Sequence, residues 1–200
     1  CFTLVLSVLH DVGLLNFCID ICDWNEELIL QFYVTLHITG NAEDVNSWVL
    51  DWMTENTHFK APTSELLHAL PVSPPLEGAR LIYHETELSD HFMQVLMKPP
   101  YPGQASRTKF LVKELLYVPR TVYCILTKTL SPIKGHDSNE EVVGIMKNLL
   151  FNIIHGIPIN FHDFFWTLAN VALSPFELKP YAPWIMRFIR TGSSLNYKAD

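Results

Sequence analysis

The sequence predicts a mainly α fold: a multi-helix globular domain with one small β-hairpin near residues 46–60. Three observations predict it. Apolar residues make up 48% of the 200 residues and charged residues 18%, enough to close a core and too apolar for disorder. Thirteen prolines against eight glycines divide the chain into helices and short elements with stiff breaks between them. Apolar residues recur at helical spacing in several stretches, most extensively over 142–154, and alternate at strand spacing around 48–52. A chain of this length makes one large domain or two small ones. It is read as a single helical domain over 1–200, with an N-terminal helical extension over 1–23 and a tail over 191–200.

Residues 2–10 and 14–22 form short apolar helices parted by Gly13. Over 25–39, Leu28, Phe32 and Leu36 recur every four residues beside Ile29 and Tyr33. Glu26 and Glu27 stand in the first turn, where the helix dipole favours negative charge, and Asp23 is the expected N-cap. Gly40-Asn41 ends this helix. Trp48, Leu50 and Trp52 alternate with Ser47, Val49 and Asp51 as a half-buried strand, and Glu55-Asn56 turns it back through 57–60. Pro62 stops the hairpin, and Thr63 or Ser64 caps a short helix through Leu70.

A Pro-rich connection over 71–85 leads to a helix over 86–97 with Leu88, Phe92, Val95 and Leu96 along one side. Pro99, Pro100, Pro102 and Gly103 make 98–106 a loop. Residues 108–117 fit helix or strand; the next helix carries Pro119 in its first turn and closes at Ser131-Pro132. Ser138-Asn139-Glu140-Glu141 is a capping box that opens the longest helix, 139–155. Its ridge of Val142, Ile145, Met146, Leu149, Leu150, Ile153 and Ile154 follows the i, i+3, i+4, i+7 rule, and Gly156 stops it. Helices over 160–173 and 182–191 complete the chain. That ridge, with Phe32, Tyr33, Trp48 and Trp52, is the expected core.

Catalytic signatures are missing. There is no glycine-rich phosphate loop, no Gly-x-Ser-x-Gly elbow and no His-Glu-x-x-His, and none of nine histidines is singled out by a nucleophile. No catalytic residue, cofactor, metal or small-molecule substrate is therefore expected. Cys1, Cys18, Cys22 and Cys124 are too few for a disulfide scaffold, lack His at zinc-finger spacing, and read as buried free thiols. His84 and His91, with Glu85, Glu87 and Asp90 between them, read as a solvated acidic turn rather than a metal site. His155 at a helix C-terminus has a structural role. Phe161, Phe164, Phe165 and Trp166 lack the interleaved Lys and Arg of a base-stacking platform and read as core. No 18-residue apolar run predicts a membrane span, and Phe2–Leu9 lacks the basic flank of a signal peptide. The expected setting is intracellular, cytoplasm or nucleus. The opening at Cys1 rather than Met suggests a piece of a longer polypeptide.

Where the charge sits says more than its total of −7. Residues 1–60 hold one base, Lys60, against nine acids. Residues 98–134 hold Lys98, Arg107, Lys109, Lys113, Arg120, Lys128 and Lys134 against Glu114 alone. These seven cations are the candidate interaction face. Two partners suit it: a second copy's acidic N-terminal third, since complementary fields steer association, or nucleic acid in weak, salt-dependent contact.

Several short motifs occur in order: Phe32-Tyr33-x-x-Leu36, Trp48 in a strand, a Ser64-capped helix, Val118-Pro119-Arg120 leading to Leu130-Ser131-Pro132-Ile133, and Ile154-His155-Gly156-Ile157-Pro158-Ile159-Asn160. Together, over about residues 24–190, they resemble the plant transposon protein domain of the gag-like region of plant, especially cereal, retrotransposon polyproteins. The resemblance implies a helix-rich, non-catalytic domain that works in assembly or in complexes around element nucleic acid. A Cys-Cys-His-Cys knuckle, an Asp-Thr-Gly or Asp-Ser-Gly protease loop and a Tyr-x-Asp-Asp polymerase signature do not occur here, so no active residue is carried over. The expected function is a non-enzymatic interaction or assembly domain, with nucleic-acid binding through the 98–134 face as the alternative.

Overall fold

Helices dominate and one small antiparallel sheet accompanies them, as the periodicities predict. The computed structural model describes residues 2–20, 22–72, 79, 90–99, 109–130, 141–142, 144–172 and 181–194. The chain divides into two compact units, one from Cys1–Leu15 and Pro74–Asn160, the other from Asn16–Ser73 and Phe161–Asp200.

In the first unit, α1 (Phe2–Asp11) packs on α6 (Tyr117–Leu126) and α7 (Ile145–Ile154). Glycine ends α1 and α7 in the same way. Gly13 and Gly156 take φ of 76° and 65°, conformations that cost other residues energy. The amide of Leu14 then reaches the Leu9 carbonyl at 2.8 Å, and that of Ile157 reaches the Asn152 carbonyl at 2.9 Å. The helix expected over 86–97 is shorter in its described part: α5 (Asp90–Met93) tightens into a 3₁₀ turn over Gln94–Leu96. Met97 then bridges to Leu115, so 108–117 is neither plain helix nor plain strand but a 3₁₀ turn, Val112–Glu114, held between two such bridges.

The second of those bridges overturns the capping box. Glu141 pairs with Leu111 in extended conformation, and the Val142 amide donates to the Phe110 carbonyl at 2.8 Å, so neither is free to start a helix. Gly144, at φ 53°, turns the chain and α7 begins at Ile145. Ser138, Asn139 and Glu140 lie outside the described residues. The ridge itself is buried as expected at Val142, Met146, Leu149, Leu150 and Ile153. Lys147, Asn148 and Asn152 are buried too, because α7 is packed on α1, α5 and α6 and has no solvent face there.

In the second unit, α2 (Leu15–Ile19) and α3 (Glu26–Thr35) precede a three-stranded antiparallel sheet ordered β1 (His37–Thr39), β2 (Val49–Thr54), β3 (Thr57–Pro62). The predicted hairpin is β2–β3, in register Trp52 with Phe59 and Thr54 with Thr57. Glu55 and Asn56, at φ 50° and 59°, make the turn whose twist matches the strands. The strand β1 replaces the last residues of the helix expected over 25–39. Leu36 is already extended, and His37 pairs with Asp51. Thr35 continues this ladder with its side chain: its hydroxyl accepts from the Met53 amide at 2.8 Å and lies 3.1 Å from the Met53 carbonyl.

The N-cap of α3 is Asn25, not Asp23; its Oδ1 accepts from the Leu28 amide at 3.2 Å. Neither Thr63 nor Ser64 caps α4 (Thr63–Leu66). Pro62 holds the cap position, and the buried Thr63 hydroxyl donates to the Val45 carbonyl at 2.7 Å. Two further helices, α8 (Asp163–Ala172) and α9 (Ala182–Ser194), complete this unit, α9 being the longest described. An aromatic core forms. Phe17 stacks on Trp184 with centroids 4.6 Å apart, Phe165 on Phe188, and Trp52 lies between Phe32 and Phe59. Phe161, Phe164 and Phe165 are core, as expected, and Trp166 is half-buried against Trp48.

Candidate interaction surfaces

Five of the seven predicted cations are described, and all five belong to the first unit: Lys98, Lys109, Lys113, Arg120 and Lys128. Arg107 and Lys134 lie outside the described residues. The bridge between Met97 and Leu115 brings Lys98 and Lys113 together, although they are fifteen residues apart in sequence. The Lys98 ammonium donates to the Lys113 carbonyl at 2.8 Å. The Lys98 amide donates to the Glu114 carbonyl and the Leu116 amide to the Leu96 carbonyl. Leu116 is the N-cap of α6, and Arg120, half-buried, sits one turn on, its amide 3.0 Å from the Leu116 carbonyl. Lys98, Lys113 and Arg120 therefore form one cluster. Lys109 is drawn instead to Glu141 at 3.5 Å, an exposed pair worth under about 1 kcal/mol. Lys128 stands eight residues beyond Arg120, about 12 Å at helical rise.

Three exposed apolar side chains accompany the cluster: Val95 at 60%, Tyr117 at 46% and Leu116 at 40%. Sequence reasoning missed them. It set Phe92, Val95 and Leu96 along one side of a helix; Leu96 is buried, but Phe92 and Val95 are 46% and 60% exposed, and the helix gives way to a 3₁₀ turn after Met93. Leu116 and Tyr117 straddle the start of α6, where helical periodicity does not yet apply.

The second unit has a face of the opposite sign. Ile29 and Phe32 turn α3 inward, while Gln31 and Thr35 are held by β2 backbone and its turn. The remaining side carries Glu26, Glu27, Leu30 and Val34, all exposed, with Val34 at 75%. Below its N-terminus, Asp20 pairs with Arg187 at 2.7 Å, and Arg190 donates to the Asp23 carbonyl. Charge divides sharply between the units. The first has nine bases and nine acids; the second has five bases and twelve acids, the whole of the net −7.

Several ionisable side chains are buried or stacked within the structure. His162 is buried, and burial pushes its imidazole below the ordinary range, opposed by the charge of Asp44. Burial raises the phenol of Tyr33. His155 stacks on Phe151 at 4.0 Å and places Nδ1 2.9 Å from the Phe151 carbonyl, closing the last turn of α7. The thiols differ from expectation: Cys124 is exposed, Cys18 and Cys22 are half-buried, and the Cys22 thiol donates to the Pro183 carbonyl. His84 and its acidic neighbours up to Ser89 lie outside the described residues. Among the described residues no three His, Cys, Asp or Glu gather as a metal site would require. A depression of 360 Å³ lined by Leu36, His37, Ile38, Gly40, Trp48 and Ala169 is apolar, with His37 its one ionisable lining residue. No described helix is long and apolar enough to cross a membrane. In comparisons with family models, curated proteins and solved structures, nothing matches the chain.

Proposed function

We propose that this chain is a non-enzymatic interaction and assembly domain derived from the gag-like part of a plant retrotransposon polyprotein, and that its basic cluster takes an acidic macromolecular partner. The observation that carries the reading is the gathering of Lys98, Lys113 and Arg120 beside exposed Val95, Leu116 and Tyr117. Apolar contact area beside charged groups is how protein interfaces combine affinity with selection of partner. The proposed origin is supported by the order of the short motifs between Phe32 and Asn160, and with it goes an intracellular setting, cytoplasm or nucleus. Self-association is the first partnership to test, because the second unit holds the acidic surface such a cluster would seek.

The test is sedimentation at an ionic strength of about 10 mM, where the Debye length is about 30 Å. The parent sediments above monomer mass, and the Lys98→Glu/Lys113→Glu/Arg120→Glu variant sediments as monomer. Equal masses would sink the assembly reading. Clustered cations beside an exposed tyrosine also support a second reading, contact with single-stranded nucleic acid. A salt titration against single-stranded RNA separates the two. Three phosphate contacts give a log–log slope of about −2, at about −0.7 for each phosphate, whereas protein partnership without RNA gives no binding even at low salt.

A further inference from the structure

We propose that the outer face of α3 is what the basic cluster takes in a second copy of this chain, so that copies join head to tail. The inference rests on the assembly reading and adds both halves of the contact. One half is Glu26 and Glu27 one turn before exposed Leu30 and Val34. The other is Lys98, Lys113 and Arg120 beside exposed Val95, Leu116 and Tyr117.

The two surfaces match in kind and oppose in sign. Each is a short apolar strip with its charges to one side: two residues on α3, and opposite them Leu116 and Tyr117 at the start of α6 with Val95 of the Gln94–Leu96 turn. Leu30 and Val34 are successive turns of one helix face and present about 5–6 Å of ridge. Seated against Leu116 and Tyr117, that ridge brings Glu26 and Glu27 toward Lys98 and Lys113. Reversing α3 would carry Glu26 and Glu27 away from Lys98 and Lys113 and gain no other charge pair, so the charges favour one orientation of α3 over its opposite. A second copy is the occupant the charge argument selects. The unit bearing α3 holds the entire net negative charge, and the basic cluster lies in the unit that holds none of it. Because the two surfaces differ, a joined pair still has one of each unused. Such heterologous contact propagates into open chains or closed rings rather than stopping at a two-fold dimer.

Complementary blocked variants test this. Leu30→Glu/Val34→Glu blocks the α3 face, and Lys98→Glu/Lys113→Glu blocks the cluster; circular dichroism establishes that each is folded. Alone, each variant sediments as monomer at low salt. Mixed in equal amounts, they form a 1:1 heterodimer and nothing larger, because one good face of each kind remains. The single variant Val34→Asp changes only a 75% exposed side chain, so it leaves the core intact, and it weakens self-association by at least about tenfold. If the α3 variants keep the parent's mass while the cluster variant loses it, the α3 assignment is overturned and the assembly reading stands. A mixture that stays monomeric, both components being folded, overturns the pairing of the two faces. A parent that is itself monomeric at low salt removes both readings together.

Discussion

His162 is the residue whose environment most constrains behaviour in solution. Its ring is buried in the turn before α8, 6.2 Å from the Phe165 ring, and burial disfavours the charged form more than Asp44 favours it. The unfolded chain therefore binds a proton near pH 6.5 that the folded chain still refuses. Stability contributed by the neutral ring is complete above that pH and declines as pH falls from 6.5 toward the lower folded value. Thermal midpoints measured between pH 7.5 and 5.5 should fall for the parent, and fall less for His162→Gln. At this scale the core was well legible: Phe32, Trp48, Trp52 and Phe164 announced themselves by size and spacing. Lys147 did not, since pattern reasoning assigns every lysine to solvent. Here the ammonium lies 5.4 Å over the Phe110 ring and the aliphatic stem fills the space a leucine would.

Among the elements, those defined by local chemistry were legible and those defined by distant pairing were not. Gly13, Gly156 and the Glu55-Asn56 turn each act within a few residues, and each was read correctly. The end of α3 depends on β2, some fifteen residues on, so no local signal marks Thr35 as its last residue. Likewise the box at 138–141 has the sequence of a cap, but Glu141 is claimed by Leu111. The cap of α3 offers a direct check. Asn25→Ala should cost about 1 kcal/mol in denaturant unfolding, as loss of an N-cap does. Asp23→Ala should be nearly neutral, because Arg190 uses only the Asp23 backbone carbonyl.

For the molecule as a whole, the sequence located the cations but not their grouping. Seven were visible as a run; the backbone bridge of Met97 to Leu115 selects Lys98 and Lys113 from that run and sets Arg120 nearby. The acidic third was visible too, and its meaning sharpened once the chain divided after residues 15, 73 and 160 instead of 60. In the second unit, helix and sheet also share their bonds. The Met53 amide is held by the Thr35 hydroxyl and the Glu55 amide by the Gln31 side chain, both at 2.8 Å and both from α3. Deuterium uptake at those two positions should thus keep time with the fraying of α3 instead of the hairpin that contains them. A ligand clamped on that helix would slow the clock in a strand it never touches.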